Sequence, residues 1–378
     1  MRVLHIGPFR LGRPSGHFNA LWALACAQAE AGHDVAIVRV GKAVAPQHVE
    51  VGRRAGVRLL GFPCHRWRGL WKDDGGQLAE ILDDFGPDLA HLFYVRVPKF
   101  FYVARLLKRR GVPYVVSLHG GMNSTEMLRR RFRKLVYWHL IEKWIHANAV
   151  GLHFVSEGER ADYRAAWGIV RPADAVVPNI LEIPPEAPLW PGPADLSRPK
   201  FAYFGRYDVW HKGLDLALVM LRALRRRGID AQLHLYGAAG AYAETVRRLL
   251  AAFRDVPVVD HGFVGGPERF ARLVGHDVYL QYSRFEVFGL SLAEAMAVGL
   301  PSFVSERAAL APTLAAAGAA VEIPMEPDRA AAVVADALAR PDLLKDVGAR
   351  GRAWVRSQCA ADAVVKRMDG FYERALAV

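Results

Sequence analysis

The chain is interrupted near its middle by a segment so rich in proline that it can continue neither a helix nor a sheet. Within residues 182–199 the prolines are Pro184, Pro185, Pro188, Pro191, Pro193 and Pro199. On both sides of it, short apolar runs alternate with helical patterns, which is typical of a parallel sheet with crossover helices. We therefore predict two Rossmann-like, doubly wound α/β domains that face each other across an interdomain cleft.

The predicted boundaries follow from this segment. Residues 1–181 form the first domain, 182–199 the linker and 200–360 the second domain, and the helical pattern of 361–378 crosses back to the first. An alanine-rich helix is predicted at residues 19–31, stopped by Gly32. The predicted strands are residues 3–6, 34–40, 57–61, 89–92, 114–118, 151–155 and 175–177, and then 201–204, 232–236, 258–260, 278–281, 302–304 and 321–323.

Composition excludes several classes of protein. Hydrophobic residues make up 52% and charged residues 23% of the 378 positions, which argues against disorder. The cysteines at 26, 64 and 359 have no metal-ligand spacing, so we expect neither a disulfide framework nor structural zinc. The N-terminus lacks the apolar core of a secretory signal and no long uncharged apolar run follows, so we expect a cytoplasmic protein without a membrane-spanning helix.

The net charge of +12 is unevenly distributed. Residues 1–180 hold 26 Lys and Arg against 15 Asp and Glu, whereas the remainder holds 24 against 23. The first half is therefore expected to meet an anionic partner. Residues 105–110 and 129–138 mix cations with apolar side chains, which suits either a peripheral membrane helix or an ordinary solvated helix face. No helix-turn-helix, RNP or zinc pattern accompanies the charge, so nucleic acid is not the expected partner.

The segment from Glu286 to Pro301 carries the most chemical information. A loop with Glu286 and Gly289 precedes a helix that contains Glu294 and is closed by Gly299. The free N–H groups of Gly289, Leu290 and Ser291 would point at a bound anion, assisted by the helix dipole. Glu286 could accept sugar hydroxyls and Glu294 could reach a ribose. By spacing alone, however, a solvated surface pair is the favoured interpretation, because two glutamates eight residues apart are common by chance.

The residues around these glutamates resemble a known signature. The segment matches E-x-F-G-L-x-L-x-E-A-M-A-x-G-x-P, the E-x7-E element of glycosyltransferase family 4, whose members have the GT-B fold. Phe204-Gly205-Arg206 followed by His211-Lys212-Gly213 is similar to the family's G-R…K-G element. Alone, Arg206 and Lys212 could be exposed cations; in this context we expect them to clamp the diphosphate of a nucleoside-diphosphate sugar.

The resemblance implies a mechanism. Cleavage of the glycosyl–phosphate bond leaves negative charge on the diphosphate, which Arg206, Lys212 and the helix N-terminus would stabilise without a metal ion or other cofactor. The family resemblance implies retention of anomeric configuration by front-face attack, and no protein nucleophile is assigned. Glu286 is expected to hold the sugar and Glu294 the ribose, rather than acting as a general acid and base.

Other expected site residues lie outside this segment. His119, at the tip of a predicted strand, resembles the family's strand-end histidine and is the catalytic candidate of the first domain; His91 is a weaker one that suits a satisfied core position. Gly16 and His17 follow the first strand as a partial match to the family's acceptor loop. Phe263 and Val264 lie where the family places the nucleobase. Residues 305–309 depart from the family's glycine-rich turn.

The expected activity is transfer of a hexose to a hydroxyl of a glycan or lipid-linked acceptor, in the synthesis of a cell-surface polysaccharide or glycolipid. Two alternatives remain. One is a non-hydrolysing nucleotide-sugar 2-epimerase of the same fold, which the G-R…K-G element disfavours. The other is a catalytically silent, membrane-attached partner subunit. The presence of all the expected site residues disfavours it: Glu286, Glu294, Arg206, Lys212 and His119.

Overall fold

The computed structural model describes residues 1–9, 16–67, 70–73, 76–125, 131–193 and 195–378. Within these ranges the side chains of residues 16–18, 65–67, 70–73 and 131 are not described. The chain divides into two compact units. Unit 1 comprises Met1–Ile180 and Ala361–Val378, and unit 2 comprises Leu181–Ala360.

Unit 1 alternates strands with helices, as the sequence predicts. Its strands are β1 (Arg2–Gly7), β2 (Asp34–Val40), β3 (Val57–Phe62), β4 (Cys64–Trp67), β5 (Leu70–Asp73), β6 (Leu89–Phe93), β7 (Tyr114–Ser117), β8 (Gly151–Phe154) and β9 (Ala175–Val176). Its described helices are α1 (Gly16–Glu30), α2 (Pro46–Arg54), α3 (Gln77–Phe85), α4 (Phe100–Arg109), α5 (Arg131–Tyr137), a π-helical turn (Trp138–Glu142), α6 (Lys143–Asn148), α7 (Glu157–Trp167) and, after unit 2, the helix Ala361–Leu376.

Seven of these strands form one sheet in the order β3-β2-β1-β6-β7-β8-β9, with every neighbouring pair parallel. Each of the seven strands predicted for this half is confirmed. The antiparallel hairpin β4–β5 was not predicted, because its four-residue strands carry no apolar alternation. α1 begins at Gly16 and not at residue 19, since the helix extends into the loop by one turn.

The core of unit 1 lies on both faces of this sheet. Val3 packs in the cluster on one face and Leu4 in the cluster on the other. Adjacent strand residues point to opposite faces, so a strand buried on both sides is largely apolar. The few polar side chains buried in these strands must find hydrogen-bond partners.

A buried polar chain crosses one face of the sheet and ends on the C-terminal helix. His91 Nδ1 lies 2.7 Å from the Tyr372 hydroxyl, and His91 Nε2 lies 2.6 Å from Ser117 Oγ. Ser117 Oγ also lies 2.6 Å from His153, and the Tyr372 hydroxyl accepts a 3.4 Å hydrogen bond from Gln28. His91 is therefore a satisfied core residue, and burial lowers its pKa so that the ring stays neutral.

Unit 2 repeats the pattern. Its strands are β10 (Lys200–Phe204), β11 (Gln232–Tyr236), β12 (Val258–Asp260), β13 (Val278–Gln281), β14 (Ser302–Ser305) and β15 (Val321–Ile323). Its helices are α8 (Leu214–Arg226), a 3-10 turn (Gly240–Tyr242), α9 (Ala243–Ala252), α10 (Glu268–Leu273), α11 (Leu290–Ala297), α12 (Ala311–Ala316), α13 (Pro327–Leu338) and α14 (Pro341–Gln358); the helix Ala361–Leu376 of unit 1 is α15.

The second sheet has the order β12-β11-β10-β13-β14-β15 and is parallel throughout. The six strands predicted for this half are all confirmed. The chain builds this sheet outward from β10, with β11 and β12 on one side and β13 to β15 on the other. The loops after β10 and β13 therefore flank the point at which the strand order switches, which is where α/β sheets bind ligands. The proline-rich residues have no regular structure where described, and Trp190 holds them to unit 2 through hydrogen bonds of 2.8 Å to the carbonyl oxygens of Val298 and His276.

Candidate active site

The loop between β10 and α8 carries the predicted basic pair. It ends at Gly213, whose φ of +65° lies in the left-handed region. A Cβ at this position would lie 2.0 Å from the carbonyl oxygen of Tyr282, so only glycine fits. Close packing of the loop against the end of β13 therefore fixes where Lys212 stands.

Lys212 and Glu286 form an ion pair, and both side chains are mostly buried. Burial alone would raise the pKa of Glu286. The charge and hydrogen bond of Lys212, together with His211 and the Val287 N–H, outweigh burial and hold that pKa below its ordinary value. Glu286 is thus an ionised acceptor of hydrogen bonds, and Lys212 presents a positive charge beside it. The structure brings these two predicted residues together.

A second set of contacts, missed in the sequence, holds this pair in place. The Arg284 guanidinium donates to both carboxylate oxygens of Asp215, at 2.8 and 2.7 Å, and its backbone N–H donates to the His211 carbonyl at 2.9 Å. The His211 ring stacks on Phe285 with centroids 3.9 Å apart. No local pattern marks Asp215 and Arg284 as partners, because they are 69 residues apart.

Arg206 lies in the same loop and is exposed. Burial is the main cause that lowers the pKa of the His211 ring, and the positive charges of Lys212 and Arg206 lower it further. Arg206 therefore lies close enough to His211 to act on it electrostatically. Within the described residues the Arg206 guanidinium has no carboxylate partner. It is available to an anion near Lys212.

Helix α11 begins beside Glu286, as predicted. Gly289 caps it with a φ of +78°, and a Cβ there would lie 2.3 Å from the Gln281 amide nitrogen. The N–H groups of Gly289, Leu290 and Ser291 belong to the first turn, which has no intrahelical acceptors. The Ser291 hydroxyl accepts a 2.8 Å hydrogen bond from Tyr279, so its backbone is the group left for a ligand.

Glu294 is buried in the second turn of α11. Burial raises its pKa to about 7, although the Arg269 guanidinium, 2.9 Å from one carboxylate oxygen, opposes the shift. Arg269 was not predicted, because nothing in the sequence of α10 distinguishes it from Arg272. The predicted base-contacting residues lie on the loop after β12, where Phe263 is 65% exposed and Val264 is half-buried.

In unit 1, His119 follows β7 with a φ of +45°, an uncommon conformation for a residue with a side chain. Its ring packs on Phe93 with centroids 4.7 Å apart. The next N–H group, of Gly120, donates a 2.5 Å hydrogen bond to buried Glu159. Burial raises the pKa of Glu159 to about 7. Sequence reasoning missed Glu159, which lies on α7 and holds the turn that carries His119.

The remaining predicted features have mixed outcomes. Residues 12–15 of the acceptor loop lie outside the described residues; Gly16 begins α1, and the side chain of His17 is not described. The unusual turn at 305–309 supports the site, since the Ala309 N–H donates to the Glu286 carbonyl at 2.7 Å.

The described residues contain no His, Cys, Asp and Glu group suited to a metal ion. Nor do they include a helix long and apolar enough to cross a bilayer.

Comparison with known families agrees with this geometry. Residues 15–179 match the model of a glycosyl transferase 4-like domain. Residues 149–368, more than half of the chain, match the model described as family 4 glycosyltransferase in conflict systems. The chain belongs to glycosyltransferase family 4. It is therefore a glycosyltransferase.

Solved structures of similar fold cover the whole chain. A sucrose-phosphate synthase from Thermosynechococcus elongatus superposes with a TM-score of 0.74 at 17% identity over 100% of both chains. Anabaena Alr3699/HepE, crystallised with UDP and glucose, gives 0.72 at 16% identity over 99% of this chain and 100% of the other. WaaG, a glycosyltransferase involved in lipopolysaccharide biosynthesis, gives 0.65 at 14% identity over 97% and 99%. The fold is GT-B. No curated protein sequence matches the chain.

Proposed function

We propose that this family 4 enzyme transfers a hexose from a nucleoside-diphosphate sugar to a hydroxyl of a glycan or lipid-linked acceptor, with retention of configuration. The observation that carries the proposal is the Lys212–Glu286 ion pair, which stands at the N-terminus of α11. It brings a cation and a hydrogen-bond-accepting carboxylate to the loop that enters α11, whose first-turn N–H groups have no intrahelical acceptors.

That arrangement suits the leaving group. Negative charge develops on the diphosphate as the glycosyl bond breaks, and preorganised positive groups stabilise it most in the transition state. Lys212, Arg206 and the first turn of α11 supply that charge from the protein itself, so we propose that no metal ion is needed. Glu286 would accept the sugar hydroxyls and Glu294 the ribose hydroxyls. Phe263 and Val264 would contact the base, and His119 the reaction centre.

The donor proposal is tested by measuring nucleotide binding and transfer together. Thermal unfolding is followed with uridine, adenosine and guanosine diphosphates and their sugars, for the wild type, Arg206→Ala and Lys212→Met. We expect stabilisation of the wild type and a weaker response of both variants. Release of free nucleoside diphosphate that depends on an acceptor indicates a transferase. A non-hydrolysing 2-epimerase would instead convert the nucleotide sugar to its epimer without an acceptor and without net release of nucleoside diphosphate. A wild type that no nucleotide stabilises would refute the donor site.

We further propose that unit 1 meets an anionic membrane during synthesis of a cell-surface polysaccharide or glycolipid. Phe132, Val136 and Leu140 recur at four-residue spacing across α5 and the π-helical turn, and they are 79%, 42% and 71% exposed. Exposed Arg133 adjoins them. An apolar stripe beside cations suits insertion at an anionic interface. Residues 126–130, which include Arg129 and Arg130 of the predicted basic stretch, lie outside the described residues.

Vesicle sedimentation tests this membrane proposal. Vesicles that contain phosphatidylglycerol should retain the wild type and release Phe132→Ser/Leu140→Ser. The matched control is Val49→Ser/Val51→Ser, which removes exposed apolar groups of another helix of unit 1. Equal retention of both double variants would contradict the proposal.

A further inference from the structure

A cavity of about 600 Å³ lies in unit 1, lined by residues of β9, α7 and α15. One wall is β9 with its flanking residues, a second is α7 at Arg160, and the third is one face of α15. This volume is within the range of small-molecule sites. None of the predicted donor or acceptor residues lines it.

The α15 wall is cationic and open. Lys366, Gly370 and Arg374 are four residues apart and therefore share one helix face. Lys366 and Arg374 are exposed, and within the described residues neither has a carboxylate within ion-pair distance. The missing side chain at Gly370 leaves room between them: a Cβ there would meet only Arg374 Nη1, at 3.6 Å.

Among the described residues that line the cavity, the carboxylate is that of Asp174, and it already has partners. Asp174 accepts hydrogen bonds from the N–H groups of Leu152 and Arg171, at 2.9 and 3.1 Å, and pairs with Arg164 at 3.3 Å. Within the described residues it forms no ion pair with Lys366 or Arg374. Arg160 pairs with Glu157 at the surface, an exposed contact that a stronger anion can replace.

The strand wall adds hydrogen-bond donors. β9 is the edge strand of its sheet and pairs only with β8. The Val177 N–H donates to Phe154 at 2.9 Å, so the N–H of Val176, one residue earlier, points to the open side. The cavity thus combines cations on two helices with a backbone donor on a third wall.

We propose that this cavity binds a phosphate-bearing anion, a phosphate ester or diphosphate, held by Lys366, Arg374 and Arg160. Lysine and arginine side chains around a concave site with a backbone N–H donor are the chemistry that recognises phosphate. This site is independent of the donor site proposed in unit 2.

Hydrogen exchange with tripolyphosphate as the probe locates the site. We expect the anion to protect residues 172–178 and 361–376 in the wild type. Lys366→Gln/Arg374→Gln should lose this protection and bind at least about tenfold more weakly, a difference of about 1.4 kcal/mol. Both side chains are exposed, so the variant is expected to fold. The control, Arg254→Gln/Arg356→Gln, removes the same charge from exposed positions of unit 2 and should bind as the wild type does.

The outcomes separate the two proposals. Protection confined to residues 205–215 and 283–292 would support the donor site and overturn the cavity. Equal weakening of both double variants would show an effect of net charge alone and also overturn it. The source of the phosphate is resolved by repeating the exchange with phosphatidylglycerol vesicles. Protection of 361–376 by vesicles as well as tripolyphosphate supports a lipid headgroup, and protection by tripolyphosphate alone supports a soluble ligand.

Discussion

The ammonium of Lys212 and the carboxylate of Glu286 form an ion pair although the two residues are 74 positions apart in the chain. They meet because the loops after β10 and β13 lie side by side at the carboxyl edge of the second sheet. The pairing keeps Glu286 ionised and Lys212 fixed before any substrate arrives. Such preorganisation is what electrostatic stabilisation of a leaving group requires.

Lys212→Met should lower the transfer rate by about 10²–10³-fold, as the loss of one preorganised charge typically does. Glu286 would lose its counter-charge, so its pKa should also rise. The rate is measured as release of nucleoside diphosphate at saturating donor. Lys345→Met is the control, because Lys345 is exposed and its ion-pair partner among the described residues is Asp342, on the surface. A variant at 212 with more than about half of the wild-type rate would contradict the assigned role.

The affinity for the donor should depend on pH through Glu294. Its pKa of about 7 means that the carboxylate loses its proton as pH rises through 7. Ribose hydroxyls donate to the ionised form, so the donor KM should fall roughly tenfold between about pH 6 and about pH 8. Glu294→Gln, which cannot ionise, should remove this dependence and leave a high KM throughout.

Arg269→Met extends this test to the partner of Glu294. Loss of the guanidinium 2.9 Å from the carboxylate should raise the pKa of Glu294 further. The midpoint of the KM profile should therefore move to higher pH, while kcat at high pH stays close to that of the wild type. A profile identical to the wild type would show that Arg269 does not control this carboxylate.

Gly213→Ala should damage the donor site more than an alanine at another left-handed glycine. Its Cβ would lie 2.0 Å from the Tyr282 carbonyl, whereas Gly228, with a φ of +84°, has nothing within 4 Å of that position. Gly228→Ala isolates the backbone strain, about 1 kcal/mol. The excess loss in thermal stability of Gly213→Ala measures the clash. Equal losses would mean that the loop can move away from β13.

Tyr372→Phe should destabilise unit 1 by about 1–3 kcal/mol, because His91 and Gln28 would be left buried without their shared partner. Chemical denaturation measures the loss. Tyr242→Phe is the control, since its half-buried hydroxyl has no hydrogen bond within the described residues. If both variants unfold at the same denaturant concentration, the buried chain contributes nothing to stability.

Stability should also fall as pH rises through the pKa of Glu159. Burial raises that pKa from 4.5 to about 7, so the folded state keeps a proton that the unfolded state loses between these values. The sign is therefore a loss of stability with rising pH in this window. Glu159→Gln should flatten this part of the stability profile, measured by denaturation at a series of pH values.

The sequence by itself determined the strands and the family. Continuous apolar runs such as residues 35–38 of β2 must be buried on both faces, and that requirement makes a parallel sheet with helices on both sides the expected solution. The segment from Glu286 to Pro301 carries its own signal, because a loop, a capping glycine and a helix are local features. Lys212 and Gly213 could likewise be predicted, because the lysine–glycine pair is a local pattern.

Only the tertiary structure decided which groups act together. The partners of the predicted residues are distant in sequence: Asp215 binds Arg284, Arg269 binds Glu294, and Glu159 holds the turn of His119. The cationic cavity likewise depends on α15, nearly two hundred residues after β9 along the chain. Secondary structure follows from local periodicity, whereas the charge around a buried carboxylate is set by whatever the fold packs against it. That is why the sequence predicted the elements and the glutamates, and the fold decided their ionisation and their partners.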